Sequence, residues 1–288
     1  MCQYTRFFHI KTCYPIDVFF DQQFNTKKYI HFLGHSISFV DVTPVVLKSS
    51  IPIFIAPGWG ETPKTFKDLM HLLFDAGFRV ISVTHPRQDL KLITKSNISR
   101  LESQKAEIIL TALTYLNVDK VNVVAHSEGA INAVIAAHMT PAVFKDILLV
   151  GPGGLVEHEG FLELASRFIG NIIQGGTRVF TGSVARAHMM RSGLETFKYF
   201  LMNPVMGLLE GSAISTTHLQ NFLIDLHSHN ISIGLILGTD DIVFPLKKMK
   251  SLTDLPWIDF HSVKGDHSDI YARPENYIDF FKKRFMEC

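Results

Sequence analysis

The apolar positions change period several times along the chain. Tyr29–Leu33 and Ile37–Val42 flank Gly34-His35-Ser36, a pattern that predicts a β-hairpin. Ile51–Ala56 is a short unbroken apolar run, as expected of a strand buried on both faces, with Pro52 tolerated at its start. The period then becomes helical. Phe66, Leu69, Leu72, Leu73 and Ala76 make one stripe, Thr65 stands where a cap would, and Gly77 fits the left-handed position after the last turn. Arg79–Thr84, Val121–Ala125, Ile147–Val150, Ile231–Leu237 and Trp257–Val263 read as further strands. Between them, Ser99-Arg100-Leu101-Glu102 reads as a capping box, followed by a helix that turns Leu101, Ile109, Leu113 and Leu116 inward. Ser127–Met139 is apolar on all sides, as a buried helix is, and ends before Pro141. Arg273–Phe285 closes the chain with Tyr277, Phe280, Phe281 and Phe285 at helical spacing. The first 25 or so residues show no clear period.

Strands alternating with helices predict an α/β fold, a mostly parallel sheet with helices on both faces. Residues 155–217 break the alternation. They are helical in character, rich in Phe, Leu and Met, and too long for a structureless loop. They are expected to form a helical cap inserted into a core made of residues 1–154 and 218–288.

Composition narrows the function. The 288 residues are 47% hydrophobic and 19% charged, which excludes a disordered chain. The formal net charge is +1, which argues against a main role on nucleic acid. Cys2, Cys13 and Cys288 form neither a disulfide framework nor a metal-binding spacing. Neither a signal peptide nor a membrane span is read, so a cytoplasmic protein acting on a small molecule is expected.

Four segments carry candidate chemistry, each at the end of an expected strand. Ala125-His126-Ser127-Glu128-Gly129 joins a strand to a helix, a turn that would project the Ser127 hydroxyl above the sheet. A Ser-Glu helix cap is the plainer reading. Pro57-Gly58-Trp59-Gly60 follows Ile51–Ala56, and its Trp59 N–H could join the Glu128 N–H as a pair of oxyanion donors. Gly238-Thr239-Asp240-Asp241 follows Ile231–Leu237 and offers an acid, Asp241, with Asp240 as its rival. Gly265-Asp266-His267-Ser268 follows the last strand and offers a base at His267.

The chain order serine, acid, histidine is that of one fold. With these motifs, the sequence from about Tyr29 to Phe285 resembles the α/β-hydrolase superfamily. The resemblance implies a nucleophile at Ser127, an acid at Asp241, a base at His267 and oxyanion donors at Trp59 and Glu128, with no metal or organic cofactor. It departs from the family pattern at Pro57 and Ala125, where His and Gly are usual, and at His85-Pro86-Arg87-Gln88. Arg87 is a candidate contact for a substrate carboxylate. Gly151-Pro152-Gly153-Gly154 looks like a segment of hydrolases that cleave carbon–carbon bonds of ring-fission diketones, or equally a turn into the cap. The leading expectation is hydrolysis of a carboxylic ester or thioester of a small, largely apolar substrate. Carbon–carbon hydrolysis and a non-catalytic ligand receptor are the alternatives. Within the cap, Phe161, Phe168, Phe200, Leu162 and Ile169 are among the candidate lining residues. His227 and His229 read as a helix end rather than a metal pair, and Lys247, Lys248 and Lys250 as a solvated face.

Overall fold

The structure is a computed structural model and describes residues 2–3, 12–13, 16–86, 98–156, 160–181, 196 and 198–286. Eight strands form one sheet: β3 (Lys28–Phe32), β4 (His35–Val42), β5 (Ile53–Ala56), β6 (Val80–Val83), β7 (Val121–His126), β8 (Phe144–Val150), β9 (Ser232–Gly238) and β10 (Ile258–Val263). Their order across the sheet is β10-β9-β8-β7-β5-β6-β4-β3. Pairs from β6 through β5, β7, β8 and β9 to β10 are parallel. The β3–β4 and β4–β6 pairs are antiparallel. A separate short pair, β1 (Cys2–Gln3) and β2 (Thr12–Cys13), is antiparallel.

Two cores lie against the two faces of this sheet, and the strands show why their sequences are continuously apolar. Side chains alternate between faces, so Phe54 and Ala56 enter one core while Ile53 and Ile55 enter the other. Val123 and Val124 divide in the same way. One core is covered by α3 (Ile98–Tyr115) and α4 (Gly129–Met139), and the other by α1 (Ile16–Asn25) and α2 (Lys67–Asp75).

Between β8 and β9 the chain runs through α5 (Phe161–Thr181), the helical residues 198–202, α6 (Pro204–Thr216) and α7 (Gln220–Ser228). After β9 come α8 (Lys250–Thr253), α9 (Asp269–Ala272) and α10 (Glu275–Phe285). Tyr277, Phe281 and Phe285 of α10 are buried, as their spacing predicts. Among the described residues, no helix is long and apolar enough to cross a membrane.

Several local expectations change. The hairpin turn is Leu33-Gly34, with φ of +47° and +81°, and Phe32 pairs with His35, so the loop is two residues long. Thr65 does not cap α2; its hydroxyl accepts the Thr62 N–H at 3.2 Å, in the turn that precedes the helix. Glu102 is fully buried inside α3 rather than reaching back to a helix start. The N-terminal stretch contains α1, whose Phe20 and Phe24 stack one helical turn apart and pack on α2. Gly77 does take the left-handed position, at φ +96°, and Phe78 N–H bonds to Leu73 O at 3.0 Å, the signature of a closed helix end.

Candidate active site

The candidate nucleophile sits where β7 ends and α4 begins. Ser127 has φ +54°, a left-handed conformation that costs a non-glycine residue about 1–2 kcal/mol. The turn is held from three sides. Ser127 N–H donates to Val150 O at 3.1 Å, and Ser127 O accepts from Ala130 N–H at 3.1 Å and Gly153 N–H at 2.9 Å. Gly129 is dictated by space, because a Cβ there would stand 2.2 Å from Ala56 O and 2.6 Å from Pro57 O. Ala125 is fully buried and carries its methyl group in the core.

The loop after β5 comes up against this turn. A Cβ on Gly58 would lie 2.7 Å from the Ser127 Cβ and 3.1 Å from His126 O. Gly58 N–H donates to Glu61 Oε2 at 2.6 Å. Trp59 and Glu128, the candidate oxyanion donors, are the next residues on the two sides of this contact. Among the described residues neither backbone N–H has an acceptor.

The acid and the histidine meet. His267 Nδ1 lies 2.9 Å from Asp241 Oδ2, and both side chains are buried. The other Asp241 oxygen accepts the Val243 and Phe244 N–H groups at 2.8 and 2.9 Å. Asp240, the rival acid, is exposed to solvent. Burial opposes a charge on His267, but the Asp241 carboxylate outweighs it through its charge and its hydrogen bond. With Glu61 and Asp266 it holds the ring above the ordinary histidine value of 6.5. Gly151, at φ +49°, passes directly beneath the pair. A Cβ there would lie 3.0 Å from both Asp241 Oδ2 and His267 Nδ1.

Helices of the inserted segment lie over this edge. Phe168 and Phe200 pack on the Trp59 ring at centroid distances of 4.8 and 4.7 Å. Leu162 and Ile169, expected to line a pocket, face solvent instead, on the outer side of α5. Asn171 Nδ2 donates to Ser268 Oγ at 3.3 Å, and Lys248 pairs with Glu163, so α5 is tied to the acid and histidine loops. Lys248 is therefore not simply part of a solvated face. Arg167 of α5 feels the Asp241 charge, although burial lowers its own affinity for protons. His227 stacks on Trp257 at 4.7 Å, as a helix-end packing residue does. Arg87 lies outside the described residues, so its expected place near substrate is not described.

One feature of the site has no signal in the sequence. Beneath Glu128, the Lys105 ammonium is buried and reaches Glu128 Oε1 at 2.5 Å and Glu210 Oε1 at 2.7 Å. Tyr199 donates its hydroxyl to the second Glu210 oxygen. Burial disfavours the Lys105 charge, but Glu128, Glu210 and Glu102 outweigh it and raise its pKa. Burial and the nearby Glu128 raise the Glu102 pKa well above the ordinary carboxylate range. Burial and Lys105 together push His85 down to about 3. The cluster joins α3, the serine turn and α6, three segments far apart in sequence.

No protein-family model matches the chain, and no curated protein matches it by sequence. Solved structures do match it. An esterase from Exiguobacterium antarcticum is 14% identical, with 91% of this chain and 100% of that chain covered and a TM-score of 0.69. A crystal structure from work on carboxylesterases of Nitrososphaera gargenis is 16% identical over 89% of this chain and 97% of that one, with a TM-score of 0.66. An α/β hydrolase from a Medee basin deep-sea metagenome library is 14% identical over 91% and 98%, with a TM-score of 0.67. The eight-stranded, mostly parallel sheet, its helices on both faces and these likenesses identify the fold of this chain as the α/β-hydrolase fold.

Proposed function

We propose that the protein is a serine hydrolase that cleaves a carboxylic ester or thioester of a small, largely apolar substrate. The supporting observation is the buried Asp241–His267 pair, placed on the same sheet edge as a serine in a strained left-handed turn. Strain of this kind persists only where the surroundings enforce it, and it is concentrated at functional sites. Neighbours on the same fold include esterases, which favours ester chemistry.

In this reading Ser127 Oγ attacks the substrate carbonyl carbon while His267 Nε2 takes its proton. The oxyanion is held by the Trp59 and Glu128 N–H groups. The bond to the leaving alkoxide or thiolate breaks, and His267 returns the proton to it. Water then attacks the acyl-enzyme, giving its proton to His267. The second oxyanion collapses, the carboxylic acid leaves, and the proton returns to Ser127. Asp241 keeps the ring in the tautomer that leaves Nε2 free to act.

The glycine-rich segment after β8 does not favour carbon–carbon cleavage. Gly151 passes close beneath the Asp241–His267 pair, and Gly153 N–H bonds to Ser127 O, whatever bond is broken. Ser127→Ala is expected to lower turnover of short p-nitrophenyl esters by roughly a thousandfold or more while leaving the fold intact. An active, folded Ser127→Ala protein would overturn the reading.

A further inference from the structure

His126, inside the serine turn, is fully buried and uses both ring nitrogens. Nδ1 lies 2.9 Å from Glu61 Oε2, and Nε2 lies 2.9 Å from the backbone carbonyl of His267. A carbonyl oxygen only accepts, so Nε2 must carry a proton. A neutral ring would then turn a lone pair from Nδ1 toward Glu61, and two lone pairs at 2.9 Å make no hydrogen bond. The contact needs one more proton, on Nδ1 or on Glu61. Glu61 Oε2 also accepts the Gly58 N–H at 2.6 Å, which favours the carboxylate and places that proton on the ring.

We propose that Glu61 and His126 are positioning residues that hold this extra proton between them. Through it they tie the Gly58-Trp59 loop and the His267 loop to the serine turn. Glu61 fixes Gly58, which stands against Ser127, and His126 fixes the backbone of His267 and lies against its ring at 4.6 Å, the two planes tilted by 36°. Facing the pair, Asp266 and the His267 ring come from the loop after β10, with Asp241 behind His267. The rings of Phe66 and Tyr271 cover His126 edge-on at 5.8 and 5.7 Å. In its role in turnover this inference rests on the proposed hydrolase reading.

The first test does not require turnover. In protein labelled with ¹⁵N in its histidine rings, His126 is expected to carry protons on both nitrogens at neutral pH. An unprotonated Nδ1 there would overturn the proposal. The second test is Glu61→Gln, which replaces the carboxylate by a neutral amide. The ¹⁵N spectrum of the variant is expected to show an unprotonated Nδ1 on His126, and kcat to fall about tenfold or more with KM little changed. A variant ring that keeps both protons, or a kcat within twofold of wild type, would contradict the proposal. If ring protonation is as expected but the protein hydrolyses no ester, the pair stands and the hydrolase reading falls.

Discussion

At the scale of single residues, Asp240 and Asp241 show what sequence can and cannot separate. Both follow the glycine that ends β9. Asp241 alone is buried, bonded to His267 and satisfied by two backbone N–H groups. Asp241→Asn is expected to lower kcat by about 10⁴-fold, because it favours the wrong ring tautomer. Asp240→Asn is expected to stay within a few fold of wild type. In the proposed mechanism the same pair sets the pH profile. The base works only when neutral, and Asp241 raises its affinity for protons. The acid limb of kcat/KM should therefore have its midpoint above 6.5, with activity falling as pH drops through it. A midpoint at or below 6.5 would contradict the pairing. As candidates, Ser127, His267 and the two neighbouring acids were legible in the sequence, since each stands beside glycines at a strand end. The contacts of Glu61 and His126 were not, because they are hydrogen bonds across 65 and 141 positions.

At the scale of elements, glycines record where backbones cross. Gly129 lets α4 approach β5, Gly58 lets the loop after β5 reach the serine turn, and Gly151 lets the chain leave β8 under the Asp241–His267 pair. The sequence showed these as motifs without showing what each one touches. Gly151→Ala tests that assignment. Its methyl group would press on Asp241 Oδ2 and His267 Nδ1, at a φ that alanine disfavours by about 1–2 kcal/mol. A fall of tenfold or more in kcat, with a lowered melting temperature, is expected. Wild-type activity in this variant would show that the loop does not press on the pair. Strand periodicity was legible because both faces of the sheet are buried. The α1 helix was not, because its three turns contribute little more than Phe20 and Phe24 to the core. The hairpin turn was misplaced because Leu33 takes a left-handed conformation usually left to Gly or Asn.

At the scale of the whole molecule, the inserted helices are bound to the core by charge as well as by apolar contact. Lys105 from α3 holds Glu128 of the serine turn and Glu210 of α6 at once, away from water. Lys105→Met would leave two carboxylates buried without their cation, and is expected to cost about 3–5 kcal/mol in denaturant unfolding. A loss below about 1 kcal/mol would mean that the cluster is not a tie between core and insertion. Its members at 102, 105, 128, 199 and 210 share no spacing that a sequence pattern could detect.

The central claim is that Ser127 is activated by His267 in the folded protein. Labelling with a fluorophosphonate probe, mapped by peptide mass spectrometry, tests it most directly. The expected result is a single adduct on Ser127 that disappears on denaturation and in His267→Ala. An adduct that persists in folded His267→Ala, or a folded wild-type protein that takes no label on Ser127, would contradict the claim.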